Sequence, residues 1–179
     1  MLLERAQTAA PDDAECAFEL GLSRNRAEDT AGAVAAYEAA LHSDACHLGA
    51  LVNLGLMYLT QLGDPGRAQA FFARACAAHP ESKVAGANLG LAMQECGDVD
   101  AALEHYERLL AEDPQAIEVR WNRGLARLST GDYARGWPDY ELRHVRGGRD
   151  VRRDFGLPAW NGDDGQRVLV YGEQGMGDE

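Results

Sequence analysis

Apolar and small residues return along this chain in the same order four times. Gly21, Gly55, Gly90 and Gly124 stand 34, 35 and 34 residues apart. Leu20, Leu54 and Leu89 precede the first three, and Leu22, Leu56, Leu91 and Leu125 follow all four. Twelve or thirteen residues after each glycine comes a small residue: Ala33, Ala68, Ala102 or Gly136. Four residues further comes an aromatic: Tyr37, Phe72, Tyr106 or Tyr140. Self-similarity at such a period marks one supersecondary unit stacked several times. Between glycine and aromatic each unit has a stop-then-start signal, namely Asp29-Thr30, Gly63-Asp64-Pro65, Gly97-Asp98 and Gly131-Asp132. Glycine ends one helix there, and aspartate caps the next. Pro65 suits a first helical turn, where its missing N–H is no loss. Pro11-Asp12-Asp13, Pro80-Glu81-Ser82 and Asp113-Pro114 separate the units. Each unit therefore reads as two helices of about 14 residues joined by a tight turn. The glycine and the small residue are expected to face each other where the two helices cross, with the aromatic filling the space between one pair and the next.

The boundaries that follow are 1–13 for the second helix of a truncated unit, then 14–47, 48–82 and 83–116 for three full units. Residues 117–147 form a divergent fourth, and 148–179 a C-terminal extension. The fourth unit departs because Gly136-Trp137 and Pro138 sit inside its second helix. A proline there removes a backbone donor and crowds the preceding turn, so a kink or a helix start delayed to near Trp137 is expected. Gly147-Gly148 should end that helix. Beyond it, Pro158, Trp160 and Asn161-Gly162 read as linker and turns. Arg167–Tyr171 is a short β-branched run suited to a buried strand, and a glycine-rich turn follows from Gly172.

Length changes little in this picture, since 179 residues fit a short solenoid. No apolar run reaches the ~18–20 residues of a membrane span. No basic segment followed by an apolar one opens the chain, so a cytoplasmic location is expected. The four cysteines (Cys16, Cys46, Cys76, Cys96) lack C-x-x-C pairing and fall at different phases of the repeat. They read as free thiols in a reducing compartment. His42, Cys46 and His47 lie close in sequence, but a helix end and turn suit tetrahedral ligation poorly, so neither metal nor cofactor is expected. The net charge of −12 is uneven: residues 1–119 carry 7 basic and 19 acidic side chains, and residues 120–153 carry 9 arginines against 4 acids. An acidic body disfavours nucleic acid, and the basic stretch lacks interleaved aromatics. Two readings of that stretch stand: arginines paired with neighbouring carboxylates, or a contact surface for an anion or another domain.

The segments around Gly55, Gly90 and Gly124 resemble the tetratricopeptide repeat, a 34-residue helix-turn-helix unit, over about residues 1–146. The unit from Ala14 is looser, with Arg24 at an apolar place and Ala45 for the closing proline; the second has one extra turn residue. The resemblance implies an all-α fold, a right-handed superhelix of helix-turn-helix pairs, here with a short C-terminal extension containing one strand. It also implies that the first helix of each pair lines the concave surface. There stand Asn53, Asn88 and Asn122, each two residues before its glycine, with Glu19 in the first unit. An asparagine offers one acceptor and two donors, enough to hold a peptide backbone. Leu22, Leu56, Leu91, Leu125 and Trp121, with Val52 and Phe18, would supply apolar contact beside it. This row is similar to the asparagine ladder of O-linked N-acetylglucosamine transferases, although asparagine here also braces neighbouring helices in such repeats. Clamps for acidic C-termini use basic residues at these places, and Lys83 is the only lysine here.

The motifs G-W-x-x-Y-E-x-R (136–143), P-x-W-x-G (158–162) and R-V-L-V-Y-G-E-Q-G-M-G-D (167–178) resemble bacterial proteins in which such repeats precede a two-Rossmann (GT-B) glycosyltransferase-like domain. The last segment is also similar to the opening of lipopolysaccharide heptosyltransferases. The resemblance implies Asp178 as the base of a longer parent enzyme, with Gly175 and Gly177 admitting its substrate. One strand cannot enclose a sugar nucleotide, so the expectation for this chain is a non-catalytic binding module. Its partner would be a protein or peptide in the groove, and self-association through the C-terminal strand is a further option.

Overall fold

The computed structural model describes residues 13–145, and every regular element among them is helical. Four hairpins follow one another: α1 (Ala14–Arg26) with α2 (Thr30–Ser43), α3 (Leu48–Thr60) with α4 (Pro65–Ala78), α5 (Lys83–Glu95) with α6 (Val99–Glu112), and α7 (Ile117–Ser129) with α8 (Tyr133–Tyr140). A 3₁₀ turn, Glu141–His144, closes the series. The truncated unit expected over 1–13, the strand at Arg167–Tyr171, the Gly-rich loop with Gly175 and Gly177, and Asp178 fall outside the described residues, apart from Asp13.

The stop-then-start signals act as caps. Asp29 accepts a hydrogen bond from the Gly32 amide, Asp64 from Arg67 and Asp132 from Arg135, which satisfies amides that a helix start leaves unpaired. Asp98 precedes α6 without a side-chain cap bond. The tight turns place one residue each in the left-handed region: Gly63 at φ 65°, Gly97 at 92°, Gly131 at 83° and, in the first hairpin, Glu28 at 60°. Glycine takes that conformation freely, whereas a side chain at Cβ crowds the carbonyl. Glu28→Gly should therefore stabilise the protein by about 0.5–1 kcal/mol, the strain relieved exceeding the extra freedom of an unfolded glycine. Chemical denaturation would show the midpoint moving up; a lower midpoint would mean that the exposed Glu28 side chain contributes more than its backbone strain costs.

Helix adjacency gives the architecture. Each of α2, α4 and α6 packs against the odd helix of its own hairpin and that of the next, and α8 against α7. In addition α3 touches α5 and α5 touches α7, while no two even helices make comparable contact among the described residues. The odd helices thus form the closer-set, inner layer of a solenoid and the even helices the outer layer.

Its core is thin and rich in alanine, with a fully buried ring in each of the first three hairpins and Tyr58 besides in the second. Tyr37, Phe72 and Tyr106 are fully buried, as are Ala33, Ala68 and Ala102. Burial of such a ring contributes about 1.5–3 kcal/mol. The expected place of the aromatic is corrected here. A Cβ at Gly21 would lie 2.4 Å from the Tyr37 ring, one at Gly55 2.5 Å from Phe72, and one at Gly90 2.2 Å from Tyr106. The aromatic therefore lies on the glycine of its own hairpin rather than only between hairpins. In the fourth hairpin the glycine meets the later small residue: a Cβ on Gly136 would come 3.2 Å from the Gly124 carbonyl oxygen.

That fourth hairpin also corrects the expected late start. α8 begins at Tyr133 on the Asp132 cap and carries Pro138 within it. Loss of one amide is tolerated by a helix that ends two residues later and tightens into the 3₁₀ turn. Gly124 lets α8 come so near that a Cβ there would sit 2.9 Å from the Tyr140 backbone nitrogen and 3.0 Å from Asp139 Cβ.

Candidate functional site

The residues before and after each glycine all lie on the inner helices, but their environments differ along the row. Asn53 is half-buried and donates from Nδ2 to the Gly49 carbonyl, 2.8 Å away in its own helix. Its carboxamide oxygen remains an acceptor. Asn88, one hairpin on, is half-buried and makes no side-chain hydrogen bond among the described residues. Asn122 is buried, with Nδ2 3.5 Å from the Ala87 carbonyl of α5. It also lies beside the Tyr106 hydroxyl, which burial pushes well above its ordinary pKa while Asn122 works in the opposite direction. Asn122 thus sits as a brace among α5, α6 and α7.

The four leucines after the glycines are half-buried, and Leu22 and Leu56 pack against the main core cluster. Val52 and Trp121 are half-buried. Phe18 rests on the imidazole of His47, with ring centroids 4.8 Å apart, and takes up the space over Gly49. It therefore serves the α1–α3 junction.

Several polar residues of this layer escaped sequence reading. Gln61 ties two hairpins: its Nε2 donates to Asn25 Oδ1 (3.2 Å) and its Oε1 accepts from Thr30 (3.2 Å). Gln94 accepts the Tyr106 hydroxyl proton at 2.7 Å. In the first hairpin Asn25 holds the place of Gln94 but is engaged by Gln61, and the buried Tyr37 hydroxyl has no partner among the described residues. His105 is buried with Nε2 2.9 Å from the Gly86 carbonyl, so that nitrogen carries the proton; burial holds its pKa below the ordinary 6.5. A neutral imidazole tying α6 to α5 is a structural bond.

The arginine-rich stretch resolves into ion pairs. Asp139, almost completely buried on α8, accepts from Arg120 Nε (3.2 Å), from Arg123 Nε (2.8 Å) and from Arg127 (3.3 Å). Glu107 of α6 joins Arg123 at 2.9 Å and Arg127 at 2.6 Å. Arg135 pairs with Asp132 and Arg143 with Glu141. Arginines at i, i+3 and i+7 share one helix face, and that spacing was the available signal for a buried acid opposite. Five of the nine arginines of this stretch therefore face carboxylates, the first of the two sequence readings.

No group of three histidine, cysteine or acidic side chains among the described residues is arranged to hold a metal. Nor is any described helix long and apolar enough to cross a membrane.

Comparison with known proteins agrees with this architecture. Tetratricopeptide repeat family models match residues 18–83 and 59–128. No curated protein sequence matches significantly. Among solved structures, one of MamA superposes with a TM-score of 0.68 at 21% identity, covering 78% of this chain and 81% of that one. PilF of Pseudomonas aeruginosa gives 0.69 at 22% identity, covering 82% and 67%. YrrB, described as a tetratricopeptide protein with an unusual peptide-binding site, gives 0.65 at 18% identity, covering 79% and 73%. At these identities the likeness concerns the fold. Residues 18–128 thus carry tetratricopeptide repeats, and the chain is a tetratricopeptide-repeat α-solenoid.

Proposed function

We propose that the inner face of this solenoid binds an extended peptide or a partner helix, and that the chain acts as an interaction module with no chemistry of its own. The observation carrying this reading is the pair Asn53 and Asn88. They occupy one place on consecutive inner helices, both half-buried, one with its acceptor spare and the other with its whole carboxamide unengaged. Half-buried Leu56 and Leu91 stand three residues beyond them. Donors and acceptors repeated beside apolar strips suit a peptide main chain and give little preference for its side chains. Asn122 extends the row in space while serving chiefly as a brace. YrrB, a similar fold described with a peptide-binding site, supports this reading.

Random displayed peptides selected on the wild-type chain supply the probe. Asn53→Ala combined with Asn88→Ala should weaken their capture about tenfold or more, from the ~0.5–1.5 kcal/mol lost per hydrogen bond. The helical circular-dichroism signal should stay at the wild-type level. Unchanged capture removes the ladder from the site.

A further inference from the structure

We infer that the guest of the inner face is an extended peptide segment with lysine or arginine at one end of an apolar stretch, and that Glu19 receives the cation. The inference rests on the peptide-binding reading above and adds to it the charge of the partner. On α5 the buried residues are 85–87, 89, 90 and 92. Val84, Asn88, Leu91 and Glu95 remain, at the i, i+4, i+7 and i+11 spacing of a single helix face, and Val84 is 61% exposed. Glu15, Glu19 and Arg26 take three of the same places on α1, Asn53 and Leu56 two on α3, and Glu118 one on α7. Charge is sorted by this face. The four inner helices carry four acids, Glu15, Glu19, Glu95 and Glu118, and every one falls on it. Of their six lysines and arginines only Arg26 does. The others are engaged elsewhere: Arg120, Arg123 and Arg127 turn to Asp139, Lys83 pairs with Asp113, and Arg24 donates to the Gly32 carbonyl of α2, 3.2 Å away.

Carboxylates bordering an apolar hollow draw a cationic guest and disfavour an anionic one. Glu15 is already held by the His47 ring at 3.3 Å. Glu19 and Glu95 are exposed and form no ion pair among the described residues. Glu19 has the better position, because it occupies on α1 the place that Asn53 and Asn88 occupy on α3 and α5 and so continues their row. A carboxylate only accepts, so it has nothing to give a main-chain carbonyl and suits an ammonium or guanidinium instead. Inner helices ~8–10 Å apart correspond to about three residues of extended chain at ~3.3 Å each. The cation therefore belongs about three residues from the one held at Asn53 and about six from the one held at Asn88. Apolar side chains between them lie over Leu56, Leu91 and the exposed Val84. Glu95, two turns beyond Asn88, offers a second place for a basic side chain at the edge of the strip.

Random displayed peptides selected on the full wild-type chain test this. The selected set should be enriched about twofold or more in lysine and arginine over the starting library, to one side of apolar residues. Its capture should weaken as salt is raised. Glu19→Gln combined with Glu95→Gln should weaken capture about threefold or more, the effect of losing two exposed ion pairs. Glu38→Gln combined with Glu104→Gln makes the same change of charge at exposed places on the outer helices α2 and α6 and should leave capture unchanged. Glu19→Lys should turn the selection toward acidic peptides. Peptides that depend on Asn53 and Asn88 but lack basic enrichment, or that ignore the Glu19 and Glu95 substitutions, overturn the charge assignment and leave the groove reading standing. Equal weakening by the outer-helix pair overturns it as well, since the attraction then belongs to the overall charge of −12. Capture indifferent to the asparagines, or no capture at all, removes both.

Discussion

Gly90→Leu should unfold the third hairpin and with it the cooperativity of the whole stack. A Cβ alone at Gly90 would stand 2.2, 2.6 and 2.9 Å from three atoms of the Tyr106 ring. The ring has little room to retreat: it is fully buried, its hydroxyl is bonded to Gln94, and Asn122 lies beside that hydroxyl. Overpacking typically costs ~1–3 kcal/mol, and three further carbons beyond Cβ put this case at or above the top of that range. Repeat proteins depend on each interface between neighbours, so a lost third hairpin also strips α4 and α7 of their contacts across it, leaving each only its hairpin mate. Urea unfolding followed by circular dichroism measures the effect. Tyr106→Ala in the same chain provides the control, since removing the ring should make the leucine far better tolerated than in the native background. A loss below about 1 kcal/mol for the single substitution would mean that the ring moves aside, contrary to the packing described.

Asp139→Ala should cost nearly as much, by a different route. The carboxylate is almost completely buried and is the common acceptor for Arg120, Arg123 and Arg127. Removing one partner of a buried ion pair strands the other charges, typically at 3–5 kcal/mol. Here the guanidiniums keep some solvent, and Arg123 and Arg127 retain Glu107, so about 2–4 kcal/mol is expected. Glu107→Ala should cost much less, because that carboxylate is half-exposed and screened. Thermal unfolding of the two variants side by side separates the cases. Equal losses would show that Asp139 contributes no more than a surface ion pair.

Much of this fold is legible in the residues because the repeat speaks four times. A glycine followed sixteen or seventeen residues later by an aromatic requires two helices and a turn between them, and aspartate after glycine marks where the second begins. Periodicity alone, however, does not say which neighbour a residue meets. A ring resting on its own hairpin's glycine and a ring wedged only between hairpins produce the same spacing, which is why Tyr37, Phe72 and Tyr106 read ambiguously. Asp139 hides for another reason. Between Pro138 and Tyr140 it looks like an ordinary exposed helix acid, and only the close approach of α8 to α7 at Gly124 turns it into a buried acceptor. The asparagine row was visible as a pattern, but its division into a free Asn88, a half-engaged Asn53 and an enclosed Asn122 depends on how near the adjacent helices come.

The closer spacing of the odd helices carries a mechanical consequence. Successive inner rods touch while their outer counterparts stand apart, so the molecule is built like a hand fan with its pivots along the hollow side. Small rotations at each pivot change the spread of the outer ribs without disturbing the glycine–ring contacts, which lie inside single hairpins. The width of the hollow is then set by several shallow adjustments in series, so widening it calls for breathing of the whole ribbon rather than for remodelling of one joint.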